Sequence, residues 1–232
     1  MKKAVAIITA RSGSKRVPNK NIKDFLGNPM MSYPIKEALK SGVFDEVMVS
    51  TDSEKYAEIA KKYGAKVPFL RSEATSNDFA STLDVIVEVL EEYKKRGEEF
   101  EYFCCIYPTA PLISAKRLTE SFEMLKNSDI DTVFPMVRFS YPIQRALKIN
   151  DEGLVEMIWP ENGPKRSNDL MPAYHDSGSF YWMKTSAFFE KNAIWTDKTK
   201  GIVLSELEVQ DIDNQDDWKM AELKYKVLNK LI

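Results

Sequence analysis

The 232 residues, 44% hydrophobic and 29% charged, are enough for one large domain with an appended arm. The 33 basic and 35 acidic residues leave a formal net charge of −2, which gives no general pull toward nucleic acid or a membrane surface, so neither is expected as a partner. Met1-Lys2-Lys3 does not open a secretory signal, because the apolar run behind it stops at Arg11 without a small-residue cleavage site, and no other segment approaches membrane-spanning length; a cytoplasmic protein is expected.

In chain order, Ala4 to Thr9 reads as a short buried strand, Ser32 to Ser41 as a helix, Glu46 to Ser50 as a second strand, and Ser53 to Tyr63 as a helix ended by Gly64. Lys66 to Leu70 predicts a short strand, Ser81 to Arg96 a long helix, and Tyr102 to Tyr107 a strong strand. Within that strand the adjacent Cys104 and Cys105 must point to opposite faces, which suits core packing and implies no disulfide framework. Ala115 to Asn127 is helical and Asp131 to Val137 extended. This alternation predicts an α/β fold, a single mostly parallel sheet with helices on both faces. From Phe139 to about Ala173 the pattern changes to short pieces broken by four prolines, read as an arm inserted on the sheet. The sheet resumes at Ser179 to Met183 and again at Ile202 to Leu204, and a helix from about Gln215 to Leu228 follows. The whole is read as one domain over residues 1–232 with an arm at about 139–173.

Two constellations carry chemistry. The first is Ala10 to Asn21, ARSGSKRVPNKN, directly after the first strand. A glycine that lets the backbone come close, hydroxyls at Ser12 and Ser14, and cations at Arg11, Lys15, Arg16 and Lys20 are what a nucleoside triphosphate needs. Neither G-x-x-x-x-G-K-[ST] nor G-x-G-x-x-G is present, which counts against a P-loop ATPase and a dinucleotide dehydrogenase. The second is Gln210-Asp211-Ile212-Asp213, where carboxylates two residues apart on an extended segment face one side and can reach one Mg²⁺. The competing reading makes Asp213 the cap of the helix that starts near Asn214.

Further polar residues sit at strand ends, where open α/β sheets place ligands. Ser50-Thr51-Asp52 ends the second strand and also reads as a helix cap. Tyr107-Pro108-Thr109-Ala110-Pro111 ends the cysteine strand. Arg71 precedes the cap segment of the long helix, and an arginine beside a capped helix start can hold a base or a phosphate.

ARSGSKRVPNKN, VSTD, RSEATSNDFAS, YPTAPL and DID, in this order and spacing, resemble the acylneuraminate cytidylyltransferases, which make CMP-activated nonulosonic acids, and the resemblance spans essentially the whole chain. The first motif separates that family from the related Kdo cytidylyltransferases. The resemblance implies a Rossmann-like nucleotidyltransferase sheet. Arg11, Ser12, Gly13, Ser14, Lys15, Arg16, Lys20 and Asn21 then form the loop for CTP, Arg71 and Ser81 contact the cytidine, and Asp211 and Asp213 hold the metal. Arg11, Lys20, Asp211 and Asp213 become the catalytic group. The arm implies a homodimer in which each arm reaches toward its partner's sugar site.

Departures from the sialic acid pattern bear on the sugar. Tyr107 stands where those enzymes carry Gln, and Gln144 where they carry Lys. Phe134 to Leu147, together with Pro172 to Trp182, looks like the pseudaminic acid branch, whose 5,7-diacylamino sugar decorates flagellin and other bacterial surface glycans. Tyr107, Gln144, Arg145, Arg166, Tyr174, His175, Asp176 and Tyr181 are the candidate sugar residues; His175, the only histidine, suits a structural role as readily. Arg166 or Arg145 is the expected partner of the sugar carboxylate. The alternatives are a CMP-sialic or CMP-legionaminic acid synthetase, a nucleotidyltransferase that uses UTP or GTP on a sugar 1-phosphate, and a non-catalytic nucleotide-binding regulator.

Overall fold

β1 (Lys2–Thr9) is an interior strand of the sheet, and its residues from Ala4 to Ile8 are wholly buried, which is why they read as an unbroken apolar run rather than an alternating one. The computed structural model describes residues 2–14 and 17–232. After the loop that follows β1, a small hairpin of β2 (Asp24–Phe25) and β3 (Asn28–Pro29) leads into α1 (Ser32–Ser41). β4 (Glu46–Ser50), α2 (Glu54–Lys62), the single turn α3 (Glu73–Ser76), α4 (Thr82–Lys95), β5 (Phe100–Ile106), α5 (Ala115–Lys126) and β6 (Thr132–Arg138) complete the first half. The arm carries the hairpin β7 (Leu147–Ile149) and β8 (Val155–Met157). The chain then returns through β9 (Tyr174–Asp176), β10 (Phe180–Lys184), α6 (Thr185–Lys191), β11 (Thr199–Leu204) and α7 (Gln215–Leu228).

The main sheet has the order β11-β6-β10-β5-β1-β4, with β9 paired to β6. β4, β1 and β5 are mutually parallel, as are β6 and β11, while β10 and β9 run antiparallel to their neighbours. The mostly parallel sheet expected from the sequence is present; the reversed β10 between β5 and β6 was not legible, because an apolar run says nothing about strand direction. One face packs Ala4, Ala6, Ile8, Cys104 and Trp182 against α1, α2 and α5, and the other packs Val5, Ile7, Phe103 and Cys105 against α4 and α6. The two cysteines thus point to opposite faces, and burial pushes the Cys105 thiol up to about 12.

One element differs from expectation, and the competing reading of Asp213 is removed. Lys66 to Leu70 forms no strand beyond one parallel bridge from Lys66 to Met48, since Pro68 can donate nothing to a ladder. Asp213 does not cap the last helix: Asn214 does, with Asp217 completing a capping box.

The arm leaves the sheet where the Phe139 amide donates to the Ala173 carbonyl at 3.0 Å, so its two ends are tied together at the base. The C-terminal ends of β1, β4, β5 and β6 and the entry to β10 all open on one edge of the sheet. A third apolar cluster, Val17, Phe25, Met30, Tyr33, Ile212, Trp218 and Ala221, fastens the loop after β1 to the segment ahead of α7 at that edge. Among the described residues, no helix is long and apolar enough to cross a membrane.

Candidate functional site

The loop after β1 is held open by its neighbours. Ala10 donates its amide to the Ser50 carbonyl at 2.9 Å, which continues the β1 to β4 ladder by one residue. Asp52, just past β4, then accepts from the Ser12 amide at 2.8 Å and the Ser12 hydroxyl at 2.6 Å, while Asn21 Nδ2 donates to the Arg11 carbonyl at 2.8 Å. Ser14 Oγ turns inward to the Val17 carbonyl at 2.7 Å. Arg11 Nη1 reaches Asp78 at 2.6 Å, a half-exposed pair that an incoming phosphate can replace at modest cost. Gly13 lies outside the left-handed region, and a Cβ there would meet only Arg11 Nη1 at 3.7 Å, so the space beside it is open rather than conformationally required. Lys15 and Arg16 lie outside the described residues. The sequence assigned Ser50-Thr51-Asp52 to helix capping. The cap is Ser53, which leaves Asp52 for the loop. Asp52→Ala is therefore expected to raise the KM for CTP about tenfold through loss of two hydrogen bonds that shape the loop, with the sugar KM unchanged; equal KM values in mutant and wild-type assays would rule this out.

Arg71 is buried at the floor of this edge, where Nε donates to Ser50 Oγ at 3.0 Å and Nη2 to the Ser50 carbonyl at 2.8 Å. Burial pulls its pKa below the usual guanidinium value, with Asp52 opposing that shift. Ser81 is the N-cap of α4, accepting from the Asp84 amide at 3.2 Å and donating to the Asp84 carboxylate at 2.7 Å. Its hydroxyl is therefore already spoken for by the helix.

Two lysines hold the Asp-Ile-Asp segment and the residues just ahead of it. Lys20 Nζ donates to the Ile212 carbonyl at 2.6 Å and Lys224 Nζ, from α7, to the Val209 carbonyl at 2.7 Å. Ile212 is fully buried in the third cluster, and the flanking Asp211 and Asp213 are exposed and half-buried. Lys20 thus joins the loop to the carboxylates, a contact between two motifs some 190 residues apart that spacing alone could not reveal. The donor set fits Mg²⁺, which takes one or two carboxylates and fills its remaining positions with water and phosphate oxygens. Among the described residues there is no cluster of three or more His, Cys, Asp or Glu able to hold a metal, so a closed protein cage is not what the fold offers.

Just ahead of this segment, Arg117 of α5 grips Glu208 with Nε at 2.8 Å and Nη2 at 3.2 Å. The fork holds the Glu208 carboxyl below the usual glutamate range, helped by Ser205 and opposed by burial. A depressed folded pKa contributes stability above the unfolded value, about 4.3, that is lost as pH falls through the folded value. Glu208→Gln is expected to lower stability near neutrality and flatten its decline in acid, read from urea melts between about pH 3 and 6; parallel wild-type and mutant profiles would contradict the assignment.

Beside the carboxylates lies a cavity of 660 Å³ whose wall includes Tyr107, His175, Asp176, Tyr181 and Asp211. The Tyr181 hydroxyl donates to Asp176, whose other oxygen accepts from the Gly178 amide at 2.9 Å; burial, then Asp176, raises the tyrosine pKa. Tyr107 packs edge-on against Tyr181 with centroids 5.8 Å apart, and burial raises its pKa as well. The other candidate sugar residues do not line this cavity. Gln144 Nε2 donates to the Met171 carbonyl at 2.8 Å inside the arm, and Arg145, Arg166 and Tyr174 are exposed. Sequence reasoning gave Asp52 a capping role first and missed Arg138 and Lys224. Arg138 and Lys224 line the cavity, Arg138 at the end of β6 and Lys224 on α7, a position that only the docking of α7 onto the sheet edge defines. An adjoining cavity of 420 Å³ along the arm's base shares Arg138, Phe139, Ser140 and Glu206.

A family model described as Cytidylyltransferase matches residues 5–215. A pseudaminic acid cytidylyltransferase of Campylobacter jejuni is 41% identical, over 97% of this chain and 97% of that protein. A CMP-N,N'-diacetyllegionaminic acid synthase of Legionella pneumophila is 30% identical over 94% of each. Among solved structures, a CMP:2-keto-3-deoxy-manno-octonic acid synthetase complexed with CTP superposes with a TM-score of 0.70 at 17% identity, over 98% of this chain and 99% of that one, which shows a shared fold.

Proposed function

This chain belongs to the cytidylyltransferase family, and on that premise we propose that it transfers CMP from CTP to the anomeric hydroxyl of pseudaminic acid and releases pyrophosphate. The observation that carries this reading is the cavity lined by Tyr107, Asp176 and Tyr181, which also takes in Asp211 of the segment that Lys20 joins to the phosphate loop. A sugar in that cavity and a triphosphate on the loop meet at Asp211. The 41% identical relative named for pseudaminic acid, against 30% for the one named for diacetyllegionaminic acid, favours the first sugar.

In the reaction, the anomeric oxygen forms a bond to the α-phosphorus as the bond from that phosphorus to the bridging oxygen breaks in line, and pyrophosphate leaves with the electron pair. The hydroxyl proton passes to solvent or to a nearby carboxylate. Arg11 and Lys20 neutralise charge on the phosphates, Lys15 or Arg16 adds to that, and the buried Arg71 with the Ser81 region faces the cytidine. Asp211 and Asp213 would hold Mg²⁺, which screens phosphate charge and lowers the pKa of an oxygen bound to it. CTP supply puts the reaction in the cytoplasm.

The arm supports a homodimer. Leu147, Ile149, Val155 and Met171 are 60%, 75%, 65% and 77% exposed, apolar side chains of the arm that a second copy would cover. With two copies paired through it, Gln144, Arg145, Arg166 and Tyr174 would border the partner's sugar site. Ile149→Glu is expected to give a monomer with a native fold and at most a tenth of the activity, about what one disrupted apolar interface costs, in sedimentation velocity with parallel kinetics; a dimer that persists would remove the arm from the interface.

Pyrophosphate release measured with CTP and pseudaminic, N-acetylneuraminic and diacetyllegionaminic acids side by side tests the substrate. Preference for pseudaminic acid is the expected result; preference for either of the others moves the enzyme to that branch, and turnover with UTP or GTP instead of CTP overturns the nucleotide.

A further inference from the structure

The cavity beside Asp211 has a charge problem that its occupant must solve. Its wall carries the carboxylates of Asp176, Glu206 and Asp211 against two full cations, Arg138 and Lys224. A sugar acid brings a further carboxylate, and a buried anion without a donor partner is costly. Lys224 already donates to the Val209 carbonyl at 2.7 Å and holds the Asp-Ile-Asp segment in place. His175 directs Nδ1 to the Asp176 carbonyl at 2.9 Å. Arg138 remains. It is the last residue of β6, and its Cα is held in register with Tyr174 of β9, so its backbone is fixed by the sheet while its side chain lines the cavity. Among the described residues no carboxylate pairs with its guanidinium. A planar guanidinium matches a carboxylate with two parallel hydrogen bonds, which a lysine cannot do.

We infer that Arg138 receives the carboxylate of the sugar acid and thereby sets the sugar's orientation toward the α-phosphorus, a role expected from sequence for Arg166 or Arg145. The inference rests on the sugar-acid reading above. Arg145 and Arg166 are on the arm and do not line this chain's cavity, whereas Arg138 is delivered by the core sheet together with Tyr181 and Asp176.

The test compares inhibition by two unreactive probes, the sugar acid without its anomeric hydroxyl and the methyl ester of that compound, on the full-length enzyme. Wild type is expected to bind the acid more tightly than the ester. In Arg138→Ala the inhibition constant of the acid rises about 10- to 100-fold and the acid-to-ester ratio falls toward one, while the KM for CTP stays within about twofold. Arg138→Lys restores part of the preference, because it returns the charge without the fork. A preserved ratio in Arg138→Ala overturns the assignment. If wild type fails to consume CTP with every sugar acid, the reading beneath it falls instead, and an active wild type keeps the two failures apart.

Discussion

Asp211→Ala is expected to lower pyrophosphate release by on the order of 10³-fold or more, with the thermal midpoint unchanged, because a carboxylate that supports a phosphate-bridging cation contributes several kcal/mol to the transition state. Asp211 is exposed and lines the cavity, and the backbone around it is held by Lys20 at the Ile212 carbonyl and by Lys224 at the Val209 carbonyl rather than by its own side chain. Removing the carboxylate therefore leaves the segment in place. Asp211→Asn keeps the shape and should lose nearly as much, which separates charge from packing. Activity within tenfold of wild type in both variants, measured at saturating Mg²⁺ and CTP, would take Asp211 out of the reaction.

Trp182→Ala is expected to destabilise the fold by about 4 kcal/mol, the range for emptying a large aromatic from a packed core. Its ring is fully buried, stacked on Phe44 with centroids 4.8 Å apart and on Phe122 at 4.6 Å, and its Nε1 donates to the Leu118 carbonyl at 3.1 Å. It therefore pins α5 and the turn after α1 to β10. The same strand sends the neighbouring Tyr181 toward the cavity, so a loosened β10 is expected to degrade sugar binding before CTP binding. Equilibrium urea unfolding gives the free energy; a loss under about 1.5 kcal/mol would mean that the site collapses around the deletion and that the stack contributes little.

The apolar runs identified nearly all of the main strands, because a strand buried on both faces reads as an unbroken hydrophobic run, and the start of the long helix was legible at its cap, Ser81. Lys66 to Leu70 was misread because its apolar pair looks like a strand while Pro68 and a single bridge leave it none. β9, only three residues long, gave no periodic signal. For the site, the loop and the carboxylate pair were visible as local patterns. Asp52 was visible only as a cap candidate, since a carboxylate after a strand serves either purpose until the facing loop is known. Arg138 and Lys224 carried no local signal at all: each is one cation among 33 basic residues, and only the closing of β6, β9 and α7 around one cavity distinguishes them. Arg145 and Arg166 were conspicuous in sequence because the arm is polar and irregular, yet the fold sets them apart from the cavity their own chain builds.

The central claim is that this site joins the α-phosphorus of CTP to a sugar-acid hydroxyl. Phosphorus NMR of the enzyme with CTP, Mg²⁺ and pseudaminic acid tests it most directly. The account predicts a new phosphodiester resonance that grows in equal amount with pyrophosphate and is absent without the sugar. Formation of CDP with inorganic phosphate, or of CMP with pyrophosphate regardless of sugar, would contradict it, because either places the attack, or the attacking group, somewhere other than where the cavity and the loop bring them together.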